Sequence, residues 1–325
     1  MLSTRVALVG AGGIGGYHFD QLKKIEGVEV VGVADVALER AQDMARRVGG
    51  CPAFDSHVAM YDAVKPEAVF IGIPPFAHFD QETAAAERGI HIFVQKPPAV
   101  TMQKAHEILA AVEKAGIITA VGFQDRYLDV VDEAKKALVG QRPGLAMGYW
   151  MGGMPGVPWW RVRSQSGGQA VEQTIHIFDT ARYLFGEAES VSGAARSGLM
   201  TDVPNYDVDD SSAMSIQFKS GVLCTIFSAC FLRGGPGKSG LDVYCQELRI
   251  EYGLRSNVRL STNREAREMR HRNDNDLECV RTFIEAVRGG DRSKIRSPYA
   301  DAVKSLELPL AGQRSIETGR VVSLD

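Results

Sequence analysis

Three groups of residues in this chain have the types and spacing for chemistry. In "VALVGAGGIGGYH", Gly10, Gly12 and Gly15 fall in G-x-G-x-x-G spacing, behind an apolar run and ahead of a helical pattern. That context suits a dinucleotide: one glycine for the tight turn, one for close approach of a pyrophosphate, one for packing of helix on sheet. The phosphates would then meet the free N–H groups at the helix N-terminus. Asp35 ends the next apolar run, 20 residues after Gly15. Its carboxylate can accept both ribose hydroxyls of NAD and would repel the 2′-phosphate of NADP. Val36 and Ala37 follow it, where NADP readers often carry a cation or small hydroxyl, and Arg40 lies about one turn further on. NAD is therefore expected, with NADP as the alternative. The second group is "HIFVQKPPAV" (91–100), which places Lys96 at the end of an apolar run and fixes its exit with Pro97 and Pro98. Ligands bind at the carboxyl ends of parallel strands. A partly desolvated lysine there can donate to a substrate oxygen or steady a developing alkoxide; the alternative is a lysine that snorkels to solvent. The Lys96–Pro97 step is a candidate for a cis peptide. The third group is Glu172 and His176, four apart in a helical pattern. On one helix face the carboxylate would orient the imidazole and favour its protonated form.

The elements that must position these groups follow from periodicity. Apolar runs at 5–10, 28–35, 68–73, 91–94 and 117–123 are continuous rather than alternating, as parallel strands buried on both faces require. Amphipathic stretches such as "TMQKAHEILAAVEKAG" separate them, opening at Thr101 as N-cap and closing at Gly116. This alternation predicts βαβ units and a doubly wound parallel sheet over residues 1–122. The remainder, 123–325, reads as an α+β domain for substrate binding and oligomerisation. It has a helix near 126–139, a Gly/Pro/Trp-rich loop at 151–168, a helix over 169–185, longer strand runs forming a mostly antiparallel open sheet, and closing helices near 274–288 and 298–317. Lys219-Ser220-Gly221 marks a hairpin turn. Gly237-Lys238-Ser239 mimics the tail of a P-loop, but Leu232 stands where that motif needs glycine and strands follow, so a flexible loop is expected.

Bulk properties narrow the class. The formal net charge of -3 and the lack of any basic block interleaved with aromatics argue against a nucleic-acid partner. The five scattered cysteines form no CxxC, so neither a zinc site nor a disulfide frame is expected, only reduced thiols. No apolar run approaches the roughly 18–20 residues that span a bilayer. A strand pattern that starts by residue 5 leaves no room for a signal peptide. A soluble, cytoplasmic enzyme that binds no metal is the expectation.

Four stretches in order resemble the Gfo/Idh/MocA family (glucose-fructose oxidoreductase, inositol dehydrogenase and relatives). They are the loop of Gly10, Gly12, Gly13, Ile14 and Gly15, "IPPFAH" at 73–78, "VQKPPAVT" at 94–101, and "GGQAVEQTIHIFD" at 167–179; the C-terminal helix matches too. The resemblance implies that Lys96 faces the nicotinamide and that His176 is the proton acceptor, with Glu172 in place of the family's aspartate. It implies that Ile73, Pro74, Pro75 and His78 help close the cofactor cleft and that Gln95 lies beside the cofactor. "VGFQDRY" resembles the family's "vGfnrRf", which offers Arg126 either to a substrate oxygen or to a salt bridge. Trp159, Trp160 and Arg161 precede the His176 segment; their aromatic faces could wall a sugar ring or simply pack the loop. Asp179 reads as a packing or interface residue. The implied reaction is hydride transfer between NAD and a sugar, cyclitol or related polyol, with Lys96 and His176 handling the substrate oxygen and its proton. Two other readings stay open: an NAD-retaining hydrolase or lyase that oxidises transiently, and a non-catalytic cofactor sensor. Gln95 for Glu, Glu172 for Asp and Thr174 for Gly depart from the family pattern. An apolar open face on the second sheet implies a homodimer or homotetramer.

Overall fold

The apolar runs of the N-terminal half become strands β1 (Thr4–Val9), β2 (Val28–Ala34), β3 (Ala53–Phe54), β4 (Ala68–Ile71), β5 (His91–Val94) and β6 (Thr119–Val121) in the computed structural model, which describes residues 3–324. They form one sheet in the order β3-β2-β1-β4-β5-β6 with every pairing parallel. The strand order reverses between β1 and β4, the crevice where doubly wound sheets take ligands. All four residues of β4 are buried, as its unbroken apolar run requires. Between strands run α1 (Gly13–Leu22), α2 (Leu38–Arg47), α3 (His57–Val64), α4 (Gln81–Glu87) and α5 (Met102–Ala115). Helix α5 starts where the Thr101 hydroxyl accepts from Lys104 N and stops at Gly116, whose φ of 63° is left-handed.

By compactness the chain divides into two units, residues 1–124 with 276–303, and residues 125–275 with 304–325. Residues 276–303 thus fall with the first unit, although the sequence boundary at 122/123 assigns them to the second domain. These residues group with the first unit for a packing reason. Phe283, from helix α10 below, sets its ring edge against Phe70 and Phe93, which stack at 4.7 Å, and the Ser297 hydroxyl donates to Val121 O. A helical pattern reveals an apolar face but not which core receives it.

The second unit holds α6 (Asp129–Ala137), β7 (Leu145–Met151), the short α7 (Arg163–Ser166) and α8 (Gly168–Glu172), then α9 (Ile175–Phe185) and β8 (Ala188–Arg196). Strands β9 (Ser211–Phe218), β10 (Leu223–Ala229), β11 (Lys238–Tyr244), β12 (Arg249–Gly253), β13 (Asn257–Ser261) and β14 (Ala266–Arg270) follow. Helices α10 (Asn275–Val287) and α11 (Tyr299–Thr318) and strand β15 (Val322–Ser323) close the chain, and the division between units runs through α11. The nine strands order as β14-β13-β12-β11-β7-β10-β9-β8-β15. All pairings are antiparallel except β7 with β10. The expected hairpin joins β9 to β10, with Gly221 at φ 89°. Lys238 opens β11 and lies over the Tyr149 ring, so the P-loop look-alike continues as a strand.

One face of this sheet is covered. Ile177, Phe178, Ala181 and Phe185 of α9 pack with Val131 of α6, Leu308 of α11 and the inward residues Ala146, Ile216, Ile226, Leu241 and Val243. Glycine at 148 lets α9 lie this close, because a Cβ there would come within 2.6 Å of Ile177 Cγ2. Across the sheet, Leu145, Leu223 and Phe227 are exposed.

Candidate active site

In the first unit, the glycine loop has the shape its spacing predicts. Gly10 turns at φ 93°, and a Cβ there would come within 2.4 Å of Gly72 O, so β1 and β4 close on each other at the crevice. A Cβ on Gly15 would lie 2.0 Å from Gly10 O, which holds α1 tight against the turn. Above Gly12 and Gly13, by contrast, added Cβ atoms meet nothing within 4 Å. That open space faces the first turn of α1, whose N-cap Gly12 makes no side-chain capping bond. The residues therefore fit a pyrophosphate: room beside the backbone, with N–H donors at a helix N-terminus. Ile14, half-exposed, packs its Cγ2 toward Gly72.

The Asp35 side chain is largely covered and locked. Its Oδ2 accepts from Ala11 N at 2.9 Å, and its Oδ1 accepts from Ala37 N and Arg40 Nη2, both at 2.9 Å. Arg40, expected at the surface, is exposed but its guanidinium rests on this carboxylate. A cleft of about 340 Å³ opens here, lined by Asp35, Val36, Arg40, Ile73, Pro74 and Phe76 among others. Pro75 is buried and starts a short 3₁₀ turn that delivers His78 to the interior. His78 Nδ1 meets Glu82 Oε1, and both side chains are buried.

Lys96 lies two residues past the end of β5, behind Gln95, and is half-buried, and the Lys96–Pro97 peptide is cis. Gln95 is buried; its N–H donates to Ile71 O at 2.9 Å, and its Oε1 sits so near Gly122 that a Cβ there would come within 2.5 Å.

In the second unit the expected helix over 169–185 is broken. Helix α8 ends at Glu172 and α9 begins at Ile175, because Thr174 N bonds back five residues to Gln169 O and the ladder loses register. Glu172 and His176 thus do not share one uninterrupted helix. Glu172 Oε2 accepts from the Trp160 indole at 2.8 Å. The carboxylate set on His176 is Asp125, whose Oδ2 lies 2.9 Å from Nδ1. Asp125 also holds Arg255, with Nε to Oδ1 at 2.6 Å and Nη2 to Oδ2 at 3.3 Å. Arg255 Nη2 is 3.5 Å from His176 Nδ1 and 3.4 Å from Nε2. The Trp150 ring stacks on the imidazole, with centroids 5.8 Å apart. Burial alone would raise the Asp125 carboxyl, but the charges and hydrogen bonds of His176 and Arg255 outweigh it and hold it well below the usual carboxylate range.

The other expected substrate residues divide. Arg126 is buried and makes a bidentate pair with Asp179, Nε to Oδ2 at 2.9 Å and Nη2 to Oδ1 at 2.6 Å, with Ser305 also on Oδ1 at 2.6 Å. Of the two readings, the salt bridge holds and accounts for Asp179. Trp160 is fully buried in a cluster with Val208 and Cys230, so it offers no face to a sugar. Trp159 and Arg161 are half-buried beside it. Asp125 and Arg255 escaped the sequence reading. The available signal was Asp125 itself, an acid where the "vGfnrRf" pattern carries a base.

Comparison with known proteins shows the family. Residues 4–123 match the family model described as "Oxidoreductase family, NAD-binding Rossmann fold", and residues 145–251 match the "GFO/IDH/MocA C-terminal domain". The chain is 28% identical to scyllo-inositol 2-dehydrogenase (NAD(+)) of Bacillus subtilis, over 99% of this chain and 96% of that one. It is 27% identical to myo-inositol 2-dehydrogenase of Thermotoga maritima, over 99% and 98%. Levoglucosan dehydrogenase, solved with NADH and levoglucosan, shares the fold at TM-score 0.87 and 20% identity, over 99% of each chain. No helix among the described residues is long and apolar enough to cross a membrane.

Proposed function

This chain belongs to the Gfo/Idh/MocA oxidoreductases, and from that premise we propose an NAD-dependent dehydrogenase acting on a carbinol carbon of a cyclitol, sugar or related polyol. The observation that carries the reading is His176, buried, with a carboxylate at 2.9 Å from Nδ1. A carboxylate can only accept here, so Nδ1 carries the proton and Nε2 is left as the basic atom. The inositol dehydrogenases that match over nearly the whole chain support the substrate class.

NAD, when bound, supplies the hydride acceptor. Gly10, Gly12 and the first turn of α1 hold its pyrophosphate, and Asp35 takes the ribose hydroxyls. Ile73 and Pro74 wall the cleft, with Pro75 buried behind them. His176 takes the hydroxyl proton of the substrate on Nε2. Lys96 donates to the oxygen as negative charge develops on it. Glu172, anchored by Trp160, presents a second carboxylate near the start of α9. The chain works in the cytoplasm as a homodimer or homotetramer, in which a second copy covers the open sheet face that carries Leu145, Leu223 and Phe227.

A screen of cyclitols, polyols and aldoses with NAD and with NADP, read by reduced-nicotinamide absorbance, tests the reading. His176→Asn is expected to lower turnover by about 10²–10⁴-fold with NAD affinity near normal. Turnover like wild type in that variant removes His176 from the chemistry. No reduced cofactor with any member of the panel removes the substrate class.

A further inference from the structure

Arg255 stands in an unusual place for an arginine. It sits in the tight turn between β12 and β13 at φ 53°, left-handed backbone that costs a side-chain-bearing residue of order 1 kcal/mol or more. Glycine or asparagine would fill such a turn more cheaply. Its N–H faces the Tyr252 hydroxyl at 3.4 Å, and its side chain reaches back from the turn to Asp125 and His176. The strain is tolerated at a residue whose side chain meets a buried histidine.

The geometry around that histidine is specific. Asp125 Oδ2 is shared between His176 Nδ1 and Arg255 Nη2. Arg255 Nη2 is nearly equidistant from both ring nitrogens, so it lies on neither lone-pair axis and acts as a charge beside the ring. Trp150 of β7 stacks on the ring, so the imidazole is bounded by an aromatic face, an anion and a cation. Other titratable groups on the elements packed here include Tyr252 on β12, whose hydroxyl accepts from Arg255 N, Glu172 on α8, bonded to Trp160, and Asp179 one turn along α9, bonded to Arg126 and Ser305.

We propose that Asp125 and Arg255 together set the direction and the basicity of His176, the carboxylate fixing the ring and the guanidinium opposing its protonation. This rests on the reading of His176 as proton acceptor. Asp125 alone would stabilise the imidazolium and make the proton hard to return. Arg255 satisfies that carboxylate when the ring is neutral and repels the ring when it is charged. A group that must take a proton in oxidation and give it back in reduction works best with balanced basicity. Arg255 and Asp125 are thus positioning residues, acting through His176.

Histidine-labelled full-length protein, with His176 assigned by loss of its signal in His176→Asn, reads the effect by NMR titration. Arg255→Gln is expected to raise the His176 titration midpoint by about one pH unit, and Asp125→Asn to lower it by about one unit or more. Arg255→Lys, which keeps the charge in the turn, is expected to titrate close to wild type. The remaining histidine signals report whether each variant is folded. A His176 midpoint unchanged in Arg255→Gln overturns the proposal, as does Arg255→Lys titrating unlike wild type while Asp125→Asn leaves the midpoint in place. The acidic limb of kcat/KM for oxidation, where the ring must be neutral to take the proton, should move with the NMR midpoint. If His176→Asn keeps full turnover, the proton-acceptor reading fails, while the titrations still decide whether Arg255 and Asp125 control the ring.

Discussion

Replacing His18 with leucine should flatten the acid side of the stability profile. His18 lies on α1 in the first unit, 1% exposed, with its ring 5.5 Å from Phe70 and 5.3 Å from Phe93. Neither ring nitrogen has a hydrogen-bond partner among the described residues. Burial lowers its pKa from 6.5 to about 3. The unfolded chain therefore takes up a proton as pH falls below 6.5, while the folded chain refuses it until about pH 3. The contribution of His18 to stability is intact above 6.5 and shrinks by about 1.4 kcal/mol per pH unit below it. Between pH 7.5 and 5 the loss is about 2 kcal/mol. His18→Leu keeps an apolar body in the same cage and has no proton to refuse. The tryptophans, Trp150, Trp159 and Trp160, all lie in the second unit, so their fluorescence is the wrong probe. Hydrogen exchange of the β4 and β5 amides, corrected for intrinsic rates, reads the first unit instead. The gap between wild type and variant should change by about 2 kcal/mol across this pH range. At pH 7.5 the variant should be the more stable, by about 1 kcal/mol or more, because no buried ring nitrogen is left unsatisfied. A constant gap from pH 7.5 to 5 would refute the argument that the cage keeps this imidazole neutral.

Two further substitutions test the frame around the site. Gly10→Ala forces a Cβ within 2.4 Å of Gly72 O at a φ of 93°, so NAD affinity, measured by calorimetry, should fall at least about tenfold with a drop in first-unit stability; unchanged affinity would mean that the turn can relax. Asp179→Ala leaves the buried Arg126 guanidinium without its carboxylate and should cost the second unit about 3–5 kcal/mol in urea unfolding followed by tryptophan fluorescence. Adding Arg126→Met should recover much of that loss, and a single variant as stable as wild type would mean that water replaces the carboxylate.

Local features were legible from sequence and long-range ones were not. The tight turn at Gly10, the Thr101 and Gly116 caps and the hairpin at Gly221 depend on neighbours within a few residues, and each forms in the structure. The break between α8 and α9 was invisible because the apolar pattern runs on through Gln173 and Thr174; only the bond from Thr174 N to Gln169 O reveals it. The pairing of His176 with Asp125 was missed because Glu172, four residues away, offered a local partner that periodicity favours. Arg255 lies 79 residues from His176 and 130 from Asp125, and no repeat or spacing rule links them. Trp160 looked like a substrate wall because aromatic residues in a loop suit sugars, yet its indole is wholly interior. Burial of a loop tryptophan depends on which strands and turns close over it.

Asp35 has a consequence for the timing of entropy loss. Three donors, Ala11 N, Ala37 N and Arg40, already fix both of its oxygens. An aspartate free to rotate would surrender that freedom when the ribose arrived, at a cost of about 0.5–1.5 kcal/mol. Here the rotamer is chosen when the domain folds. Dinucleotide association then draws on a carboxylate that no longer has to be ordered, and cofactor affinity becomes coupled to the integrity of the β2–α2 turn, well away from the reacting carbon.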